Sequence, residues 1–240
     1  MQLYQPIDGY CYNSDTYCLY NFVTKSLEKF KNINGELLDI GAGSGILGFL
    51  VSKEYENINL NSCEIQDDFE FLSKKNASVN NISLNLYKGD YTSLKFDKKF
   101  DIIVSNPPFY PSCVVKTKNE NIKIARYNDS LPLEDFISKT SKILKPKGKF
   151  FFCYDVKLLN DIISLLKKYK INLESMQFLH PKSTKEASLV MIYARKDSKS
   201  LLEVKEPFIM FENGDFTKNM QDIYDKCNTH SIKVDIKEKI

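Results

Sequence analysis

Short apolar runs alternate with longer amphipathic stretches along most of the chain. Residues 37–40, 58–64, 84–88, 101–105 and 149–154 read as strands, apolar and bounded by turn residues. Residues 46–54, 67–79, 133–144 and 156–169 carry apolar side chains at helical spacing and read as helices. Lys145-Pro146-Lys147-Gly148 is a helix stop ahead of the strand at 149. Strand and helix in alternation predict parallel βαβ units, hence an α/β fold. The last two apolar runs, 173–179 and 189–195, are joined by a basic loop and are expected to pair antiparallel.

Two segments flank this core of residues 36–196. Residues 1–35 hold a helix-like stretch over 15–30 with aromatics and leucine on one face, and are expected to cap the core. Residues 197–240 are polar, then apolar at 207–211, with a turn at 212–215 and a short helix ending near Cys227. About 40 residues is marginal for a free-standing unit, so this tail is expected to pack on the core in one domain. Its last ten residues are charged and expected to fray.

Composition narrows the classes. The net charge is only +3, so no global field declares a nucleic-acid partner, and an RNA-binding surface has to be local. No apolar run approaches the ~20 residues of a membrane helix. The opening Met1-Gln2-Leu3-Tyr4-Gln5-Pro6 lacks the basic and apolar regions of a signal peptide, so a cytoplasmic chain is expected. Six cysteines form no Cys-x-x-Cys pair and only two histidines are present, which argues against zinc, any other metal, or a disulfide framework. A monomer is expected.

Asp39-Ile40-Gly41-Ala42-Gly43-Ser44-Gly45 lies between a strand and a helix. Its glycines allow a tight turn and close approach of a ligand to the backbone. Glu64 ends the next strand about twenty residues on and can accept two hydrogen bonds from a ribose diol, with Ile65 beside it. The same geometry serves nicotinamide dinucleotides and S-adenosylmethionine. Asp39 tips the balance, because it resembles the acidic start of the S-adenosylmethionine motif Asp-x-Gly-x-Gly-x-Gly. In enzymes with that motif an Asp after the third strand accepts from the adenine amine, which makes Asp90, followed by Tyr91, the candidate here.

Asn106-Pro107-Pro108-Phe109 follows the strand 101–105 directly. A carboxamide, two rigid prolines and an aromatic face can hold a planar amine and stack on its ring. The Asn106 side-chain carbonyl and the Pro107 backbone carbonyl can each accept one N–H. Positive charge grows on the nitrogen during methyl transfer, and preorganised carbonyl dipoles stabilise it. Alignment of donor and acceptor supplies much of the remaining rate. No strong base is required, since the methylated amine loses its proton to water. Phe109 adds a stacking face worth ~1–3 kcal/mol per base. The polar stretch that follows carries Lys116, Lys118, Lys123 and Arg126, which are assigned to grip of substrate phosphates. Lys182 and Lys185, near His180, form a second basic cluster.

Asn-Pro-Pro-Phe resembles the (Asp/Asn)-Pro-Pro-(Tyr/Phe) signature of amino-directed methyltransferases. The whole chain resembles the bacterial tRNA1(Val) adenine N6-methyltransferases, which modify the adenosine 3′-adjacent to the anticodon. The likeness runs through Gln5-Pro6 with Gly9-Tyr10, Ser14-Asp15-Thr16, Glu64-Ile65-Gln66, Asn76 and Asn80. It continues through Ala125-Arg126, His180-Pro181, Ala194-Arg195-Lys196, Pro207-Phe208 and Gly214 with Phe216-Thr217. Tyr127 stands where that family usually has histidine. The resemblance implies a Rossmann-like class I fold: a seven-stranded, mostly parallel sheet with an antiparallel last strand and helices on both faces. It implies S-adenosylmethionine as cofactor and tRNA as partner. Gly41, Gly43, Gly45, Glu64, Asp90 and Asn106 are then expected to touch cofactor or substrate, with Asp15 and Thr16 closing over the methionine end. A glutamine N5-methyltransferase acting on release factors, and guanine N2 or DNA adenine methyltransferases, are the alternatives.

Overall fold

The computed structural model describes residues 1–9, 11–107 and 131–236. The chain opens with strand β1 (Gln2–Pro6) and helix α1 (Ser14–Leu27). Asn13 caps α1, its side-chain oxygen accepting from the Asp15 N–H. The expected alternation follows: β2 (Gly35–Ile40), α2 (Ile46–Glu54), β3 (Ile58–Glu64), α3 (Asp67–Val79), β4 (Asn85–Lys88) and β5 (Phe100–Ser105). Beyond residue 131 come α4 (Leu133–Ile143), β6 (Leu144–Asp155), α5 (Leu159–Lys168), β7 (Ile171–Lys182) and β8 (Leu189–Lys196). The tail adds β9 (Glu203–Val204), β10 (Phe208–Glu212), β11 (Asp215–Phe216), α6 (Lys218–Cys227) and β12 (His230–Val234).

The seven strands β2 to β8 lie in the order β4-β3-β2-β5-β6-β8-β7. All are parallel except β8, which runs antiparallel to both β6 and β7. The expected sheet is therefore present, and the tail extends it. β9 and β10 both pair with β7 in parallel, and β11 folds back on β10. Strand β6 sits near the middle and is covered on both faces, so its sequence is a continuous apolar run. Phe150, Phe151, Phe152 and Cys153 are fully buried. Phe150 and Phe152 meet Phe136 of α4, while Phe151 meets Phe22 of α1 on the opposite face. Each such ring contributes roughly 1.5–3 kcal/mol by leaving water.

Three details depart from the sequence reading. Helix α4 ends at Ile143, and Leu144 enters β6 at once, pairing with Phe100. The Lys145-Pro146-Lys147-Gly148 stop is thus a bulge inside the strand, with Lys147 at φ 61°. The 156–169 helix starts as a 3₁₀ turn, Val156–Leu158, capped by Asp155. The last ten residues do not fray throughout, because β12 pairs in parallel with β1 from His230 to Val234.

The other edge of β1 is satisfied by side chains. Asn76 accepts from the Tyr4 N–H at 2.7 Å and donates to the Tyr4 carbonyl at 3.0 Å. Asn80 does the same for Gln2, at 3.1 and 2.7 Å. One helical step from i to i+4, about 6 Å, matches two residues of strand at roughly 6.8 Å. The buried Asn76 also donates to the Ser44 carbonyl at 2.9 Å, which ties β1 to the glycine turn. Asn76→Ala is expected to lower the unfolding free energy by about 2–3 kcal/mol in urea denaturation, since it leaves buried backbone groups unpaired. A loss below about 0.5 kcal/mol would contradict this role.

Candidate active site

The strand order reverses between β2 and β5: the chain builds outward through β3 and β4, then returns to the other side of β2. Such a switch point opens a crevice at the carboxyl ends of the strands. Ile40 pairs with Ser105, and Ser105 Oγ donates to the Ile40 carbonyl at 2.9 Å. Gly41 and Asn106 therefore leave the sheet side by side. A cleft opens there, lined by the glycine turn, the end of β3 and Asn106.

The glycine turn is laced to the end of β3. Gly41 and Ala42 both donate their N–H to the Cys63 carbonyl, at 3.0 and 3.2 Å. A Cβ at Gly41 or Gly43 would meet no atom within 4 Å, so both positions border open space for a ligand. Gly45 differs. It sits at φ 92°, and a Cβ there would lie 2.3 Å from the Phe49 ring. Its role is tight packing at the start of α2, and it does not line the cleft.

Glu64 is nearly buried and already engaged. Its Oε2 accepts from the Gly43 N–H at 2.8 Å, and its Oε1 accepts from Ile65 N–H at 2.8 Å and Gln66 N–H at 2.9 Å. Three of about four acceptor positions are filled. One is open to a ribose hydroxyl; the expected pair of bonds requires Gly43 to let go. Burial pushes the Glu64 carboxyl above its ordinary value, against the three backbone donors. Asp39 is 1% exposed, and its Oδ2 accepts from the Gly48 N–H at 2.9 Å, bracing β2 against α2. Burial pushes Asp39 up to about 8, the Gly48 bond opposes this, and nearby Glu64 adds to it.

Asp90 and Tyr91 also line the cleft, but their polar atoms have partners. Asp90 accepts from Thr92 N–H at 2.9 Å, Thr92 Oγ1 at 2.8 Å and Ser93 Oγ at 2.9 Å. Burial raises its pKa, yet these bonds and Lys139 together hold it below the usual carboxylate value. Tyr91 places its hydroxyl 2.8 Å from Thr140 Oγ1 and its ring among Phe96 and Phe136. Asn106 closes the far wall. Its Nδ2 donates to Thr16 Oγ1 at 3.1 Å, and its Oδ1 accepts from Cys153 Sγ at 2.7 Å.

Of the expected cofactor residues, Thr16, Asp39, Gly41, Ala42, Gly43, Glu64, Ile65, Asp90, Tyr91 and Asn106 line the cleft. Asp15 does not: its carboxylate accepts from Asn13 Nδ2 at 2.8 Å, and burial raises its pKa. Pro107 is buried beside Asn106. Pro108, Phe109, Lys116, Lys118, Lys123 and Arg126, with Tyr127, lie outside the described residues. Lys182 and Lys185 are exposed at the carboxyl end of β7, the end of the sheet on which the cleft opens. Three strand spacings, about 14 Å, separate β7 from β5.

Among the wall residues that the sequence reading did not assign, two carry polar side chains of interest, Tyr12 and Gln66. Tyr12 reaches across to Ser231 of β12, hydroxyl to hydroxyl at 2.7 Å. Gln66, at the start of α3, has a buried Oε1 with no hydrogen-bond partner among the described residues. Such an oxygen in a cleft wall calls for a ligand donor or water. Its place two residues past the acidic Glu64 is the signal that could have found it. These features fit S-adenosylmethionine: room over two glycines, a free carboxylate position, an unpaired carboxamide oxygen and acidic groups for a cation. Among the described residues no His, Cys, Asp and Glu cluster could hold a metal, and no helix is long and apolar enough to cross a membrane.

Residues 21–174 match the family described as Methyltransferase small domain. A tRNA1(Val) (adenine(37)-N6)-methyltransferase of Pedobacter heparinus is 25% identical over 65% of this chain and 67% of its own length. Further relatives bear the same name. A release factor glutamine methyltransferase of Flavobacterium psychrophilum is 26% identical over 60% of this chain and 53% of its own length. The chain thus spans about half to two thirds of these relatives. Among solved structures, a predicted O-methyltransferase from Agrobacterium tumefaciens superposes with a TM-score of 0.67 at 18% identity, covering 91% of this chain and 99% of that one. The expected class I fold, the family resemblance and the S-adenosylmethionine cofactor are borne out by these matches.

The buried Asp39 carboxyl makes stability depend on pH. Its folded value of about 8 stands above the ordinary 3.8, so between those values only the folded chain keeps the proton. That stabilisation is complete below about pH 4 and is lost as pH rises to about 8. Asp39→Asn keeps an acceptor for Gly48 and removes the proton. Relative to wild type, the variant is expected to gain at least about 2 kcal/mol in unfolding free energy between pH 5 and pH 9. Parallel curves for the two proteins across that range would contradict the buried proton.

Proposed function

The chain belongs to the methyltransferase small domain family, and on that premise we propose that it methylates the N6 amine of an adenine in tRNA. The anticodon-loop adenosine 3′ of the anticodon in tRNA1(Val) is the specific target proposed. The observation that carries this reading is that Asn106 lines the same cleft as Gly43 and Glu64.

S-adenosylmethionine supplies the electrophilic methyl group when bound. Glu64 offers its remaining acceptor position to a ribose hydroxyl, Gln66 its unpaired oxygen, and Ile65 an exposed apolar face for the purine. Asn106 Oδ1 and the Pro107 carbonyl accept the two N–H bonds of the acceptor amine. They turn its lone pair toward the methyl carbon and stabilise the charge that grows on nitrogen. The proton then leaves to water. Phe109 stacks on the adenine. Lys116, Lys118, Lys123 and Arg126 hold phosphates, and Lys182 with Lys185, exposed at the sheet end on which the cleft opens, adds to that grip. An anticodon-loop base is cheaper to extrude than a duplex base, which suits this target. The reading makes the protein cytoplasmic, where its tRNA is.

The similarity to a release factor glutamine methyltransferase supports a second reading, in which Asn106 holds a side-chain amide in place of a base amine. Purified protein incubated with S-adenosylmethionine and either unmodified tRNA or a release factor separates the two. Nucleoside mass spectrometry is expected to find N6-methyladenosine in the tRNA. Methylglutamine in the factor with unmodified tRNA would contradict the proposal.

Two variants split donor from acceptor roles. Asn106→Ala is expected to lower the methyl-transfer rate at least ~100-fold while S-adenosylmethionine affinity in calorimetry stays within about threefold. Glu64→Ala is expected to weaken that affinity roughly 10- to 100-fold, the range of one hydrogen bond to a charged group. Wild-type turnover in the first, or wild-type affinity in the second, would remove the role assigned.

A further inference from the structure

An asparagine carboxamide has two ends of nearly the same shape and opposite polarity. Only its oxygen accepts an amine N–H, so whatever decides which end faces where also decides whether the site works. Among the described residues, two side chains hydrogen-bond to the Asn106 carboxamide. Thr16 Oγ1 lies 3.1 Å from Nδ2, and Cys153 Sγ lies 2.7 Å from Oδ1. The Thr16 hydroxyl both donates and accepts, and it would satisfy either end. It cannot choose between them.

Cys153 can. It sits near the carboxyl end of β6, one residue past the Ser105–Phe152 pair, so the register brings it beside Asn106. It is 0% exposed, and burial holds its thiol well above the ordinary value, with Asp15 and Cys18 nearby adding to the effect. The sulfur therefore keeps its proton at neutral pH. A protonated thiol has an S–H to give to an oxygen, in a weak bond, and only a weakly accepting sulfur for an N–H. The carboxamide end facing Cys153 is thus the oxygen. One Oδ1 lone pair takes the S–H and the second is left for an acceptor amine.

We propose that Cys153 is a positioning residue, which selects the orientation of the Asn106 carboxamide and holds it in place for methyl transfer. The amide is then fixed before substrate arrives, and no rotation is needed at the moment of reaction. Among the described residues the cysteines are all free, and this role separates Cys153 from the rest. The inference rests on the reading that Asn106 accepts the substrate amine.

Two measurements separate its failure from the failure of that reading. The infrared S–H stretching band of Cys153, identified by its loss in Cys153→Ala, is expected to move to higher frequency in Asn106→Ala. A band that does not move overturns the contact, whatever the substrate. In single-turnover methylation of tRNA, Cys153→Ala is expected to slow transfer about 10-fold, the worth of one hydrogen bond. Its S-adenosylmethionine affinity should be unchanged, and Cys153→Ser, which keeps a donor, should recover most of the rate. A rate that is unchanged or raised in Cys153→Ala, or an equal loss in both variants, overturns the positioning role. Wild-type protein that methylates no adenine overturns the functional reading instead.

Discussion

The bond from Ser105 Oγ to the Ile40 carbonyl closes the seam between β5 and β2 just before both strands leave the sheet. Everything in the cleft depends on that seam. On one side it starts the glycine turn, and on the other it starts Asn106. A slip of one residue in this pairing would turn Asn106 to the opposite face and separate it from Gly43 and Glu64. The parallel pairing is secured by the apolar runs of both strands, which are buried on both faces, and by β6 packed outside β5.

The cleft buries two carboxyls. Asp39 and Glu64 are both buried near one another, and both carboxyls are raised above their ordinary values. Buried acids without a cation favour the protonated form, and a positive charge brought close reverses that preference. A sulfonium donor carries such a charge, whereas a neutral nucleoside does not. The same two acids also serve structure: Asp39 grips the first turn of α2, and Glu64 grips the glycine turn and the start of α3. In the function proposed here, stability and ligand binding draw on the same groups.

Much of the frame was legible because its signals are local. The glycine run, Glu64 about twenty residues on, and Asn-Pro-Pro after a strand each lie within one strand-turn unit, and their apolar periods name the elements around them. What was hidden comes from long-range contacts. Thr16 and Cys153 meet Asn106 across sequence separations of 90 and 47 residues. No periodicity encodes such a meeting. Residues 231–234 fell within the ten expected to fray, yet they belong to a strand that pairs with β1, whose other edge is held by the Asn76 and Asn80 carboxamides. Glycines could be counted but not ranked. Gly43 borders ligand space while Gly45 avoids a ring, and that difference needs the coordinates of Phe49.

The central claim is that donor and acceptor sites share the seam between β2 and β5, with Asn106 as the hinge between them. A crystal structure of the protein with S-adenosylhomocysteine and an anticodon stem-loop RNA tests it most directly. The account predicts a flipped adenine whose amine lies within hydrogen-bonding distance of Asn106 Oδ1 and the Pro107 carbonyl, with the cofactor ribose on Glu64. An adenine bound elsewhere, or an Asn106 carboxamide turned away from the amine while the cofactor is in place, would contradict it.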